Sequence, residues 1–248
     1  MGARGSQSIV SGCGRSKRAR VDAGLRQVSD IGMFAVDNSI AHCRWRTEAC
    51  KHCYNRKMLI YKYFKKAWSK GGKDDKAWAN IDSDAFKGLS RVRLNTRGEP
   101  FYSVDSIKRV GEWVKDNPNT LFWIPTRAWQ TGLRGSRSYV LNMEYIDLIE
   151  QYVMCYPNAR VMASIDDYTR EHWGFLKDRG WSTMFFSADK TDIPGKGLEG
   201  SAPIKCRKTW DRIRNPDTGR WMHRKGVCRT CRTGCFSGDR VDVWLAFH

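Results

Sequence analysis

The residues best able to do chemistry in this chain are its nine cysteines, and their spacing separates them into groups. Cys43, Cys50 and Cys53 form a C-x6-C-x2-C run followed directly by Tyr54. Cys228, Cys231 and Cys235 form C-x2-C-x3-C, with Cys206 and His223 upstream. The count is odd, and the first twenty residues carry charge but no apolar core of a secretory signal, so a disulfide framework is not expected. Thiolates a few residues apart in a loop converge instead on one soft metal centre, zinc or an iron–sulfur cluster. The C-terminal group, Cys206, Cys228, Cys231 and Cys235, offers enough thiolates to close a coordination shell, as a structural zinc or an auxiliary cluster. The first group offers three, which leaves one position open unless His42 or His52 turns inward. An open position is where chemistry happens. Cys13 and Cys155 read as ordinary residues, Cys155 as core at the end of an apolar helix.

Two more residues carry reactive groups where a ligand would meet them. In Thr126-Arg127-Ala128-Trp129, just after a predicted strand, Arg127 and Trp129 would present a guanidinium and an indole. They suit a carboxylate, a phosphate or a base; a capping arginine and a core tryptophan are the structural alternative. The segment 205–240 interleaves eleven Lys/Arg and three Asp, net +8, with Trp210, Trp221 and Phe236. That pattern grips phosphates and stacks on bases. Its rival is a metal-stapled end of the sheet whose arginines are solvated or offset thiolate charge.

The hydropathy pattern supplies the elements that must position these groups. Strands are predicted at 31–36, 92–95, 121–125, 159–165, 182–188 and 239–247, and helices at 54–68, 75–86, 103–117, 142–155 and 168–180, the last closed by Gly180. Alternation of this kind predicts an α/β fold: a parallel sheet flanked by helices, with the site at the carboxyl ends of the strands. Six strands are too few for a closed eightfold barrel, so the expected architecture is a partial (β/α)6-type barrel of mostly parallel strands with a C-terminal cysteine-rich segment. A flat, doubly wound sheet is the alternative. Either way the first cysteine loop follows strand one, Thr96-Arg97-Gly98-Glu99-Pro100 follows strand two, and both lie on one face. The expected organisation is a basic irregular segment (1–30), an α/β core with the cysteine loop (31–200), and a basic cysteine-rich segment with the final strand (201–248).

Composition narrows the partners. The chain has 248 residues, 44 Lys+Arg against 26 Asp+Glu, a net charge of +18 and a pI near 9.7. Such an excess predicts a polyanionic partner, nucleic acid or an anionic substrate. Aromatic content of 12% argues against a disordered basic tail. No apolar run approaches the roughly 18–20 residues that span a bilayer. No membrane partner is expected, and a cytoplasmic location is.

A three-cysteine loop after the first strand, with an aromatic beside the last cysteine, resembles the cluster-binding loop of radical S-adenosylmethionine enzymes. Arg97-Gly98-Glu99-Pro100 resembles that superfamily's Gly-Gly-Glu-Pro motif. More narrowly, the chain resembles the bacteriophage "gene product 88" domain family. The shared pattern runs from Cys43–Tyr54 through TRGEPF (96–101), FWIPTRAW (122–129), PNARVMASIDD (157–167) and CRTCRTGCF (228–236) to His248. The resemblance covers most of the chain after about residue 30. It implies a [4Fe-4S] cluster held by Cys43, Cys50 and Cys53, whose remaining iron chelates S-adenosylmethionine. It further implies that an electron donor triggers cleavage of the sulfonium, giving a radical that abstracts hydrogen from substrate. Gly98, Glu99 and Pro100 would then lie against the methionine moiety, with Glu99 and backbone oxygens accepting from its ammonium. Ser164 and Asp166, at the end of the fourth strand, would contact ribose or carboxylate, unless they form an ordinary strand-to-helix turn. This chain has six residues where the superfamily has three between its first two cysteines, and Arg97 stands at the motif's first glycine.

Two functions are therefore expected in competition. One is a phage-encoded, radical-S-adenosylmethionine-like enzyme that modifies nucleic acid or a nucleotide. The other is a zinc-stabilised basic protein that binds nucleic acid without catalysis.

Overall fold

Alternation of buried and half-buried residues marks two strands of the sheet, while the central strand over 159–166 is buried along its last six residues. Along 91–94, Val92 and Leu94 are buried while Arg91 and Arg93 face the other way, and along 121–126 Phe122, Ile124 and Thr126 are buried in the same rhythm. The structure is a computed structural model that describes residues 25–27, 33–38, 42–52, 78, 80–96, 98–132, 138–187, 204–205, 212–214, 221–223 and 242–246. In chain order its strands are β1 (Arg26–Gln27), β2 (Phe34–Val36), β3 (Arg91–Leu94), β4 (Leu121–Thr126), β5 (Gln130–Gly132), β6 (Tyr139–Leu141), β7 (Ala159–Asp166), β8 (Ser182–Ser187), β9 (Ile204–Lys205), β10 (Arg212–Arg214), β11 (Trp221–His223) and β12 (Asp242–Ala246).

Eight of them form one sheet in the order β1-β2-β3-β4-β7-β8-β12-β9. β1 runs antiparallel to β2, and every other neighbouring pair in that sheet is parallel. The fold is α/β. From β2 to β12 the strand order follows the chain without reversal, so this stretch lacks the switch point of a doubly wound sheet. The remaining strands make two small antiparallel hairpins, β5–β6 and β10–β11.

Among the described residues three α-helices bridge the parallel strands: α1 (Val104–Asp116), α2 (Met143–Ile149) and α3 (Trp173–Asp178). All three pack on one face. Ile107, Val110, Trp113 and Val114 of α1, Ile146 and Ile149 of α2, and Trp173 and Leu176 of α3 join Val92, Leu94, Phe122, Ile124, Val161, Ala163, Ile165 and Phe185 in a single buried cluster. Right-handed crossovers between sequentially ordered strands require this one-sidedness. The opposite face carries a smaller cluster of Met162, Met184 and Val243 with Trp123 and Phe186.

Local signals set the helix ends. Ser103 caps α1, its hydroxyl accepting from Ser106 N while Ser106 Oγ accepts from Ser103 N, a reciprocal capping box. The turn after α1 is held by one amide: Asn158 Nδ2 donates to the carbonyls of Val114, Asn117 and Thr120 at 3.0–3.1 Å. Gly180, at φ 95°, closes α3 as its sequence position predicts.

Several expectations need correction. The helix expected over 168–180 begins later, with a 3-10 turn at Arg170–His172, because Asp166 Oδ1 captures Tyr168 N in a tight turn. The helix expected over 142–155 is α-helical only to Ile149 and continues as a π turn, Glu150–Met154. Val153 in that turn stays in the buried cluster. Cys155, expected in the core, is exposed. Of the helix expected over 75–86, Trp78 is helical and Ser83–Phe86 is a separate 3-10 turn begun by Asp82, whose carboxylate accepts from Ala85 N. The basic helix at 54–68 and the Gly-rich stretch at 194–200 lie outside the described residues.

Candidate functional site

The parallel strands end at one edge, and the polar residues just beyond them are sewn together there. Asp37 and Asn38 follow β2. Asp37 Oδ1 accepts from the backbone N and the hydroxyl of Thr96 (2.6 and 2.7 Å), beyond the end of β3. Asn95, in the left-handed region at φ 61°, donates its Nδ2 to Asn38 Oδ1 (2.8 Å), and Asn38 Nδ2 donates to the Glu99 carbonyl (2.6 Å). Asparagine tolerates that conformation better than most residues. Gly98, at φ 79°, is in the same region, which glycine adopts at least cost.

The turn that Gly98 permits sends the Glu99 side chain inward. Its Oε1 accepts from Thr126 Oγ1 (2.6 Å) and Phe101 N (3.2 Å), and its Oε2 from Arg127 N (3.0 Å). Burial pushes the carboxyl up from its ordinary 4.5 to about 7, against the hydrogen bonds from Thr126, Arg127 and Phe101 and the Arg127 charge, which all favour ionisation. Pro100 beside it is buried.

The cysteine loop leaves β2 and crosses the same edge. Cys43 and Cys50 are half-buried, Cys50 within a 3-10 helix, Glu48–His52. Arg46 Nε donates to Cys43 O (2.6 Å), and Cys50 N donates to Thr47 O (3.0 Å). Thr47 is the loop's anchor. Its hydroxyl lies 3.8 Å from Cys50 Sγ, donates to Asp166 Oδ2 (2.5 Å), and accepts from Arg127 Nη1 (3.2 Å). Arg127 Nη1 also donates to Asp166 Oδ2 at 2.6 Å, with the arginine side chain 17% exposed and the aspartate fully buried. Burial works against the guanidinium's charge, yet Cys50, Asp166 and Glu99 around it hold its pKa above the ordinary value. Asp166 Oδ1 is taken by Tyr168 N and Thr169 Oγ1. Two further ties reach the loop from the β5–β6 hairpin: Gln130 Nε2 donates to Trp45 O (2.9 Å), and Tyr139 Oη accepts from Glu48 N (3.1 Å).

The structure thus gathers Cys43, Cys50, Gly98, Glu99, Pro100, Arg127 and Asp166 at one edge. Ser164 is buried two residues before Asp166 on β7. Trp129 is fully buried in the helix-side core, its ring 6.0 Å from that of His172. His42, weighed as a fourth ligand, stacks on Tyr102 with ring centroids 3.8 Å apart. Cys53, Arg97, Cys206, Cys228, Cys231 and Cys235 lie outside the described residues. Among the described residues no group of three or more His, Cys, Asp or Glu is gathered to hold a metal ion. Two half-buried thiols on one loop, with Cys53 three residues beyond the second, are the donor chemistry a soft metal takes. Sequence reasoning did not single out Asp37, Asn38, Thr47, Gln130 or Tyr139; only the Asp-Asn pair directly after a predicted strand carried a local signal.

Among the described residues no helix is long and apolar enough to cross a membrane. Comparison with protein-family models, curated proteins and solved structures finds no match.

Proposed function

We propose that the chain is a radical-S-adenosylmethionine-type iron–sulfur protein, of the kind its phage-family resemblance implies, built on an open (β/α)6 partial barrel. On this reading Cys43, Cys50 and Cys53 hold a [4Fe-4S] cluster, and S-adenosylmethionine lies beside the turn at Gly98, Glu99 and Pro100. Cys206, Cys228, Cys231 and Cys235 hold a second centre, iron–sulfur or zinc. The observation that carries the reading is the edge itself. The cysteine loop and the Gly98–Pro100 turn leave adjacent parallel strands, β2 and β3, and Asn38 ties the first to the backbone of the second. The unreversed strand order and one-sided helices support the partial barrel.

When bound, the cluster supplies one-electron cleavage of a sulfonium carbon–sulfur bond, with the electron drawn from a separate donor. The chain's own residues bind and orient. Gly98 brings the backbone close to the ligand, and Glu99, already engaged by Thr126, Phe101 and Arg127, braces the turn against the end of β4. Ser164 closes the helix-free side of β7 near the same edge. The +18 charge favours an anionic substrate, a nucleotide or nucleic acid. The cytoplasm, which keeps thiols reduced, is the compartment this reading assigns.

The test is anaerobic purification with iron and sulfide analysis, then incubation with reductant and S-adenosylmethionine. Brown protein with bound iron and sulfide that releases 5′-deoxyadenosine is expected. Colourless protein that holds only zinc after anaerobic reconstitution overturns the reading in favour of a zinc-stabilised nucleic-acid binder.

A further inference from the structure

Resting on that reading, we propose that Thr47, Asp166 and Arg127 form a clasp that fixes Cys50 before metal arrives and keeps a guanidinium charge beside its sulfur. Arg127 is thereby a positioning residue for the metal centre and not a hook for substrate. The loop has little local reason to hold its shape, since a five-residue 3-10 helix has strained hydrogen bonds and no length. Its ties to other elements must fix it. The tightest of these run through Thr47, whose carbonyl accepts from Cys50 N and whose hydroxyl joins Asp166 and Arg127. Movement at Thr47 is therefore movement at Cys50.

Every oxygen of the buried Asp166 carboxylate is occupied, Oδ2 by Thr47 and Arg127, Oδ1 by Tyr168 N and Thr169. A buried carboxylate in that state needs its cation, so Arg127 is committed inward by charge as well as geometry. Arginine stays charged throughout the working pH range. The Thr47 hydroxyl stands between the guanidinium and the sulfur, 3.2 Å from Arg127 Nη1 and 3.8 Å from Cys50 Sγ. A centre ligated through Cys50 becomes more negative on reduction, and a fixed neighbouring cation stabilises that state.

The test has two arms, so that failure of the clasp and failure of the cluster reading are distinguishable. In the first, full-length metal-free protein is digested with limiting trypsin, and cleavage at the Arg44–Trp45 bond is followed by mass spectrometry; Arg44 is exposed on the loop. Thr47→Val, which keeps the side-chain shape, Asp166→Asn and Arg127→Met are expected to be cut on the order of tenfold faster, because the loop opens more often. Cleavage elsewhere and the circular dichroism spectrum should match wild type. Equal rates in wild type and Thr47→Val overturn the clasp whatever metal the protein carries. In the second arm, wild type, Arg127→Lys and Arg127→Met are loaded to equal iron and sulfide and titrated by spectroelectrochemistry. Arg127→Met should lower the midpoint by about 59 mV, roughly tenfold in a one-electron equilibrium, and Arg127→Lys should restore most of it. An unchanged midpoint in Arg127→Met overturns the charge role. Wild-type protein that takes up no iron and sulfide overturns the cluster reading, and the trypsin result then still decides the clasp.

Discussion

Glu99→Gln tests how the edge is held, through the pH dependence of stability. The wild-type carboxyl is buried and pushed up from 4.5 to about 7. A carboxyl raised in the folded state contributes stability that is fully present below pH 4.5 and is lost as pH rises through about 7. At roughly 1.4 kcal/mol per pH unit that interval is worth ~3 kcal/mol. Glutamine keeps the shape and does not titrate. It places one amide NH2 where the carboxylate accepted, so either Arg127 N or the Thr126 hydroxyl and Phe101 N meet a donor. Leaving a buried donor unmatched costs about 1–3 kcal/mol at any pH. The variant should therefore be less stable than wild type at pH 5, and the gap should shrink by ~3 kcal/mol by pH 8.5, closing or reversing. Urea unfolding of both proteins at half-unit pH steps reads this directly, because other titrating groups cancel in the difference and the slope m reports any change in the unfolded state. A difference that stays flat with pH refutes the argument. One that grows with pH would mean that the three donors, and not burial, govern this carboxyl.

Substitutions at four further positions probe the frame. Gly111→Ala on α1 would set a Cβ 2.4 Å from the Tyr152 carbonyl oxygen, whereas a Cβ at Gly174 on α3 meets nothing within 4 Å. Urea unfolding should show Gly111→Ala destabilised by about 1–3 kcal/mol and Gly174→Ala stabilised by up to ~1 kcal/mol. Asn158→Ala strips the amide from three carbonyls at the end of α1, a loss of about 1–3 kcal/mol in the same assay. Gly98→Ala forces a Cβ into the left-handed region at about 1–2 kcal/mol, and Gly98→Asn should recover part of the lost melting temperature.

The strands whose bounds the sequence places best are the longer ones. β4, β7 and β8 lie within about a residue of the expected runs, because six to eight residues make an apolar run that turn residues bound clearly. β1, β5, β6, β9, β10 and β11 are two or three residues long. Such segments become strands only because a neighbour offers its edge, and no window of sequence records that neighbour. The site divides in the same way. Cys43, Cys50, Glu99 and Asp166 stand out by type and by position after a strand. Thr47 does not, because its role depends on Asp166, 119 residues away, and Tyr139 meets Glu48 across 91. For Trp129 the sequence left two readings, a ligand-facing indole and a core tryptophan. Its indole is fully buried with the helix-side core, the second of the two.

The positive charge takes on a different meaning once the described cations are located. Arg127 is bound to Asp166, and Arg179 is bonded to Asp147 and to both oxygens of Glu150. Lys177 pairs with Asp242, and Arg93 lies 4.6 Å over the Trp123 ring. These cations hold strands and helices together, so their number says little about an anionic partner. The unbalanced charge is concentrated elsewhere, in the net +8 of residues 205–240, in the eight Lys/Arg with no Asp or Glu of residues 51–73, and in the six Lys/Arg against two Asp of residues 1–30. A polyanion is therefore argued from the lysines and arginines of those three segments, and metal chemistry from the edge between β2 and β7. The two inferences share no residue among those that carry them. Loss of nucleic-acid binding would leave the cysteine loop, the Glu99 turn and the Arg127–Asp166 pair as they stand, and the case for chemistry at that edge would be unchanged.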